Sequence, residues 1–169
     1  MNLSLRQWRE DDLEPFAALN RDPEVMQYLP ATLTRPQSDA LAQRQRELIE
    51  RRGWGLWAVD VDGVFAGFTG LAVPSFEAAF TPCVEVGWRL AREYWGRSIA
   101  YGAAQNAMDY AFSKLGLAEV VSFTSEINHR SRRLMERLGF SRDVQEDFLH
   151  PKIPESHELC RHVLYRKRA

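Results

Sequence analysis

Hydrophobic and polar positions alternate over residues 84–90, and this is the clearest strand pattern in the chain. Apolar side chains stand at every second position: Val84, Val86, Trp88 and Leu90. A period of two is typical of a strand with one apolar face, and the residues between give the other face a mixed character. The segment is therefore predicted to be a strand that contributes one face to the core.

The pattern changes to a helical period directly after this strand. Apolar or small residues recur four positions apart: Ile99, Ala103, Ala107, Ala111 and Leu115. A short basic loop around Gly96 connects the strand to this helix. Such a junction presents free backbone N–H groups and the positive end of the helix dipole, which suit a phosphate group. The loop is therefore the first candidate for a binding site.

Similar patterns predict a single α/β domain over residues 1–169. The other predicted strands cover residues 3–7, 54–61, 64–72, 119–126, a segment after Phe140, and 159–165. The predicted helices begin at 10–12, 22–24, 34–36, 99 and 128, and they end near residues 20, 30, 52, 114 and 139. Because a helix connects the strand at 84–90 to the one at 119–126, these two strands are expected to be parallel neighbours.

Composition narrows the function classes. The chain has 169 residues, 45% hydrophobic and 27% charged, which is ordinary for a soluble globular protein. A net charge of −1 gives no large field that would attract nucleic acid or an anionic membrane. The N-terminus lacks the apolar core of a signal peptide, and no apolar run approaches the ~20 residues of a membrane helix. We therefore expect a cytoplasmic protein without nucleic-acid or membrane partners.

The cysteines and histidines do not indicate a metal site. The two cysteines, Cys83 and Cys160, form no close-spaced motif and are interpreted as reduced thiols. The four histidines have no spacing typical of metal ligands. No metal is expected.

Two motifs stand about one strand apart: W-G-R-S-I-A at 95–100 and N-x-x-S-x-x-L-M-x-x-L-G-F at 128–140. In this order they resemble the GNAT superfamily of acyl-CoA-dependent N-acetyltransferases. The closer resemblance is to its RimJ/RimL-type branch, which acetylates protein N-termini and, in relatives, small amines. The likeness spans almost the whole chain. It implies a mixed, mostly antiparallel twisted sheet flanked by helices, whose central parallel strands open into a V that holds acetyl-CoA.

The resemblance also implies how the cofactor is held. In the family, the pyrophosphate lies on the loop that corresponds to 96–101, and the pantetheine arm pairs with the strand that corresponds to 88–90. That strand also offers a backbone N–H to the thioester oxygen. The implied cofactor-binding residues are Trp88, Arg89, Leu90, Gly96, Arg97, Ser98, Ile99, Ala100, Tyr101 and Asn128. The basic side chains that could reach the phosphates are Arg92, Arg97, Arg130, Arg132 and Arg133. Ser98 stands where the family has glycine, and serine disfavours a positive φ.

Acetyl transfer to an amine needs a base for the amine and a proton donor for the leaving thiolate. An α-amine has a pKa of about 8, so a carboxylate acting through water can serve as the base. Glu85, on the mixed face of the central strand, is the first candidate, with Glu146 and Asp147 as alternates. Many GNAT enzymes use a tyrosine as the acid, at the position that Met135 occupies here. Ser131 matches the serine of the RimJ/RimL-type motif and is the candidate donor to the CoA sulfur.

The predicted function is direct acetyl transfer from acetyl-CoA to a primary amine in a ternary complex. The acceptor is either a protein N-terminus or a small molecule, and the sequence does not distinguish them. A non-catalytic module that binds acyl-CoA is the alternative, because Ser98 and Met135 depart from the family pattern. An acyl group other than acetyl, and a monomer or a homodimer, also stay open.

Overall fold

One sheet of eight strands runs through the computed structural model, which describes all of residues 1–169. The strands are β1 (Leu3–Arg6), β2 (Leu56–Val61), β3 (Val64–Ala72), β4 (Glu85–Leu90), β5 (Glu119–Ser125), β6 (Ser141–Arg142), β7 (Phe148–Leu149) and β8 (Arg161–Arg168). They are ordered β1-β2-β3-β4-β5-β8-β6, and β7 also pairs with β8. Every pair is antiparallel except β4 with β5. The predicted mixed, mostly antiparallel sheet is confirmed.

Four α-helices accompany the sheet, and none is both long and apolar enough to cross a membrane. They are α1 (Leu13–Arg21), α2 (Arg35–Arg52), α3 (Ile99–Ser113) and α4 (His129–Arg137). The start of α2 is fixed by a capping box, in which the side chains of Thr34 and Gln37 accept from each other's backbone amides. Its end is fixed by Gly53, whose φ of 89° is the left-handed conformation that stops a helix.

The short helix predicted at residues 22–30 is wrong. The segment consists of turns, with the Met26 amide donating to the Asp22 carbonyl (3.0 Å) and the Leu29 amide to the Met26 carbonyl (3.0 Å). The chain then reverses, because the Leu33 amide donates to the Asn20 carbonyl (3.0 Å). Too few residues lie between these bonds to repay the cost of nucleating a helix.

Two other predicted boundaries shift. The strand expected after Phe140 is divided into β6 and β7, which are two residues each. The last strand runs from Arg161 to Arg168 rather than from 159 to 165, because β8 pairs along the whole length of β5.

Small side chains let α3 lie close against the sheet. Ile99, Ala103, Ala107 and Ala111 are each 0% exposed, as the spacing of four predicts. Met108 of the same helix belongs to the largest core cluster, together with Val120 and Tyr165 of the sheet. A large apolar side chain such as Ile99 or Met108 contributes about 1.5–3 kcal/mol by leaving water. The close packing of α3 fixes the position of its first turn, next to the end of β4.

The parallel strands β4 and β5 separate after a single bridging position. β3 and β4 pair from Gly67–Leu90 to Ala72–Glu85, whereas β4 and β5 bridge only at Glu85 and Val121. The Val121 amide donates to the Val84 carbonyl (3.0 Å). One step further along, the Ser122 hydroxyl donates to the Val86 carbonyl (2.9 Å), so a side chain replaces the ladder bond. The predicted V-shaped opening between these strands is confirmed.

Candidate active site

A cleft of about 500 Å³ occupies the opening between β4 and β5. Its walls are residues 86–90 of β4, 122–124 of β5, the start of α3 and one face of α4. The predicted site residues that line it are Trp88, Arg89, Leu90, Gly96, Ser98, Ile99, Ala100, Tyr101, Asn128 and Ser131. Glu85 and Arg97 do not line it. The fold therefore brings most of the predicted residues to one place, although they come from three separate segments.

The backbone edge of Trp88 faces the gap. The carbonyls of Val84 and Val86 both point toward β5, since they accept from Val121 and Ser122. Backbone groups of alternate residues point to the same edge of a strand, so the amide and carbonyl of Trp88 point that way too. At Trp88 the neighbouring strand has already moved away. Its N–H and C=O are thus offered to an extended ligand in the cleft.

The loop into α3 holds six consecutive backbone amides, from Gly96 to Tyr101, that donate no hydrogen bond within the protein. The first amide bond of α3 comes later, from Gly102 to the Ser98 carbonyl (3.0 Å). Gly96 (φ 72°) and Ser98 (φ 59°) are both left-handed, and Ser98 makes no side-chain cap. Free amides in such a turn, at the positive end of a helix, form a concavity for an anion.

Three arginines of α4 line the cleft beside this loop: Arg130, Arg133 and Arg137. Their spacing places them on one face of the helix. The guanidinium of Arg130 lies 3.6 Å from the centre of the Trp95 ring, and that of Arg137 lies 4.6 Å from the centre of the Tyr101 ring. Because the ion pairs of the chain use other arginines, the charge of these three stays available to a ligand. Arg137 was not among the predicted basic residues, although its spacing of seven from Arg130 indicates the same helix face.

The other basic candidates are engaged elsewhere. Arg92 forms ion pairs with Glu24 and Asp22. Arg132 donates to the Tyr165 hydroxyl (3.3 Å) and to the Glu126 carbonyl (2.8 Å). The exposed guanidinium of Arg97 lies 5.7 Å from the centre of the Tyr94 ring, so its backbone amide, rather than its charge, belongs to the loop.

Ser131 is held in the cleft by two donors. The Asn128 carboxamide caps α4 by accepting from the Ser131 amide (3.3 Å), and its nitrogen donates to the hydroxyls of Ser131 (3.2 Å) and Thr124 (2.9 Å). The indole N–H of Trp88 also donates to Ser131 Oγ (3.3 Å). Since Ser131 Oγ accepts twice, its own proton is free for an acceptor in the cleft. Met135, one turn further on, is 1% exposed and packs in the core.

Glu85 lies where the two strands part, and Gly87 and Arg89 share its face of β4. Its carboxyl makes no hydrogen bond in the protein, and burial raises the pKa of Glu85 to about 8. Such a group holds its proton at neutral pH and exchanges it near the pKa of an α-amine. Further along β4, the backbone edge of Trp88 has no partner strand, because β4 and β5 bridge only at Glu85 and Val121.

The two alternate bases have strong partners. Glu146 pairs with Arg166, which lowers the pKa of that carboxyl, and Asp147 pairs with Arg142. None of the three carboxyls lines the cleft, so the difference between them lies in their partners. A carboxylate that is neutralised by a guanidinium is a weaker proton acceptor, so the geometry favours Glu85 as the base.

The comparisons with known proteins agree with this geometry. Residues 2–141 match the family model described as an acetyltransferase (GNAT) domain. The chain belongs to the GNAT acetyltransferase family. FsC-acetyl coenzyme A-N(2)-transacetylase of Aspergillus fumigatus is 35% identical over 132 residues, a match that covers 73% of this chain and 55% of that relative. The match thus spans about half of the relative's length. The predicted enzyme class, an N-acetyltransferase, is confirmed.

Solved GNAT structures share the whole fold. The spermidine N-acetyltransferase from Vibrio cholerae, in complex with CoA and spermine, has a TM-score of 0.74 at 18% identity and covers 98% of this chain and 95% of its own. RimL, the ribosomal L7/L12 α-N-protein acetyltransferase in complex with coenzyme A, has a TM-score of 0.77 at 15% identity, covering 99% and 94%. These likenesses show the GNAT fold. The RimJ/RimL-type branch stays a prediction.

Proposed function

We propose that residues 1–169 form one domain that transfers an acetyl group from acetyl-CoA to a primary amine, by direct attack in a ternary complex. The observation that carries this proposal is the group of six free amides beside the open edge of β4. No other feature of the fold gives those amides a partner. A diphosphate that continues into an extended amide-containing arm matches both parts of this surface.

The residues present fit acetyl-CoA. The amides of 96–101 and the dipole of α3 suit the diphosphate, and the three arginines of α4 that line the cleft add positive charge beside it. The backbone of Trp88 pairs with the arm as an added strand would. Acetyl-CoA supplies a thioester carbonyl that an amine can attack.

The chain's own groups then have separate tasks. The Trp88 amide points into the gap, where it stabilises negative charge on the thioester oxygen. Once ionised, near its pKa of about 8, Glu85 takes the proton of the attacking amine through water. Ser131 gives a hydrogen bond to the sulfur as the C–S bond breaks and the new C–N bond forms. Asn128 and Trp88 position the Ser131 hydroxyl for this role.

The acceptor belongs to one of two classes, a protein N-terminus or a small-molecule amine. Relatives of both kinds share the fold, since RimL acts on a ribosomal protein and the Vibrio cholerae enzyme is a spermidine acetyltransferase. The competing reading is a module that binds acyl-CoA without turnover. The doubt about Ser98 was that serine disfavours a positive φ. Ser98 nevertheless has a φ of 59°, so the serine is compatible with the loop conformation and does not support the non-catalytic module.

The proposal is tested by calorimetric titration of the protein with acetyl-CoA, followed by detection of free CoA thiol during incubation with amines. We expect saturable binding, and thiol release that requires an amine. Binding without release for any amine would support the non-catalytic module. Absence of binding would contradict the proposed function in both forms.

A further inference from the structure

The side chain of Arg89 carries a charge that nothing in the protein neutralises. Its Nη1 donates to Asn20 Oδ1 (2.8 Å), and its Cζ lies 5.0 Å from the centre of the Phe68 ring. Burial lowers the pKa of Arg89 to about 10, which still leaves the guanidinium positive at neutral pH. The ion pairs of the chain all involve other arginines.

Arg6 differs from Arg89 because two carboxylates neutralise its charge. Its guanidinium pairs with Asp12 (2.8 Å) and with Asp60 (2.8 Å), so its charge is balanced twice. A cation withdrawn from water without a carboxylate is unfavourable. The structure nevertheless holds Arg89 in place, since Asn20, its one partner, is fixed by a bond to Ser38 (2.9 Å). The missing counter-charge is therefore expected from a ligand.

The position of Arg89 in the fold indicates that the ligand supplying this counter-charge is the amine acceptor. Arg89 lines the cleft and follows Trp88 directly, about 3.3 Å along the strand from the amide assigned to the thioester oxygen. It shares its face of β4 with Gly87 and Glu85. A Cβ at Gly87 would meet no atom within 4 Å, so open space lies between the proposed base and the guanidinium. That space is on the side of the strand from which the amine must approach Glu85.

We propose that Arg89 binds a carboxylate of the acceptor, and that the acceptor is a small amino-carboxylate whose amine lies close to its acid group. This inference rests on the proposed acetyl transfer and selects the small-molecule class within it. A protein N-terminus has no carboxylate beside its amine unless an acidic side chain follows.

A polyamine is disfavoured by the same charge. Glu24 is the one acidic residue among those that line the cleft, and it already pairs with Arg92. The cleft otherwise presents Arg89, Arg130, Arg133 and Arg137. A multiply protonated amine would meet repulsion from Arg89, and the one unpaired carboxyl on that face, Glu85, holds its proton at neutral pH.

The test compares free amino acids with their carboxamides as acceptors, by release of CoA thiol, in the wild type and in Arg89→Gln. We expect the ratio of kcat/KM for acid over amide to fall at least tenfold in the variant, mainly through KM for the acid. Comparing the ratio between proteins cancels the different basicities of the two amines. Arg44→Gln, on the exposed face of α2, is the matched control and should leave the ratio unchanged.

A second variant guards against a folding defect in the first. Gly87→Val adds a strand-favouring side chain to the open space, so it should fold, bind acetyl-CoA normally and raise KM for the amino acid at least tenfold. An acid-to-amide ratio that changes less than threefold in Arg89→Gln overturns the inference. So does a higher kcat/KM for spermidine than for every amino acid, or bound acetyl-CoA with no amino acid accepted. Failure to bind acetyl-CoA would instead contradict the proposed function itself.

Discussion

The two sides of the cleft consist of different chemical groups, backbone on one side and side chains on the other. The donor side, formed by the loop at 96–101 and the edge of Trp88, consists mainly of backbone groups that the path of the chain leaves free. The proposed acceptor side consists of Glu85, Gly87 and Arg89, which share one face of β4. A surface of backbone amides tolerates many side-chain changes, whereas the role proposed for each of those three positions depends on its side chain or, at Gly87, on the absence of one. Cofactor binding and acceptor choice should therefore respond to different substitutions.

The largest expected effect is on the donor side. Ala100→Asp places a carboxylate in the first turn of α3, where it favours the helix dipole but competes with a diphosphate for the same amides. We expect affinity for acetyl-CoA to fall about 100-fold, or roughly 2.7 kcal/mol, by calorimetry. The protein should stay folded. Ala100→Ser is the neutral control, and an undiminished affinity in Ala100→Asp would place the diphosphate elsewhere.

The next effect separates chemistry from donor binding. Ser131→Ala removes the free hydroxyl proton but leaves the Asn128 carboxamide able to cap α4 through the backbone. We expect kcat to fall about 10- to 100-fold, which reaches only the lower limit typical of general acid catalysis because Ser131 donates a hydrogen bond to a good leaving group, with the Kd of acetyl-CoA changed less than threefold. Stopped-time thiol release and calorimetry measure the two quantities. Ser141→Ala, outside the cleft, is the control, and unchanged turnover in Ser131→Ala would remove the acid role.

The ionisation of Glu85 should make kcat/KM depend on pH. As the base, its carboxyl must be ionised, so kcat/KM should rise with pH up to about 8, where the pKa of Glu85 lies. Glu85→Gln should lower kcat/KM about tenfold above pH 8 while acetyl-CoA still binds. A variant with the wild-type rate and profile would show that another group, or water alone, takes the proton.

The raised pKa of Glu85 also predicts that the stability of the fold depends on pH. Its pKa of about 8 in the folded chain exceeds the ordinary value of 4.5, so folding favours the protonated form. Its contribution to stability is fully present below pH 4.5 and is lost as pH rises through 8. Glu85→Gln should match the wild type at pH 4 and exceed it at pH 9 by more than about 1 kcal/mol, a Tm shift of roughly 2–4 °C. An equal Tm difference at both pH values would contradict the buried carboxyl.

The smallest expected effect is on stability, from a substitution at Ser98 in the loop before α3. Ser98 holds a φ of 59° that costs a residue with a Cβ about 1 kcal/mol. Ser98→Gly should raise stability by up to about 1 kcal/mol in chemical unfolding and keep affinity for acetyl-CoA. Ser113→Gly, at the end of α3, is the matched change at an ordinary helical position and should destabilise by about 0.5–1 kcal/mol. Destabilisation by both would mean that Ser98 is not strained.

The donor side was predictable from sequence because its signals are local. A strand period, a small-residue loop and a helical period lie within 30 residues and predict Trp88 and Gly96 together, as they lie in the cleft. Asn128 and Ser131 stand in one motif and also line it. The acceptor side was less predictable because its partners are distant in sequence. Arg89 meets Asn20, 69 residues away, and no spacing marks that contact. The family resemblance implies a cofactor contact for Arg89 through its strand, and it implies no role for the side chain.

The contribution of residues 22–30 to the cleft wall was not predicted, for a related reason. Residues 22–30 contribute Glu24, Val25, Tyr28 and Leu29 to the cleft as turns, where a helix was predicted. Pro23 at a possible first helical position favoured that helix, but the bond from Leu33 to Asn20 closes the segment instead. A long-range hydrogen bond of this kind competes with local propensity, and here it joins the end of the turn segment to the backbone of Asn20, the residue whose side chain contacts Arg89.

Amide hydrogen exchange with and without acetyl-CoA tests the central claim most directly. If the open edge of β4 and the α3 loop hold the cofactor, the amides of Trp88 and of residues 96–101 should become protected on binding. The amides that already bond across β3 and β4, such as Arg89, should change little. Binding that protects neither Trp88 nor the loop would contradict the account.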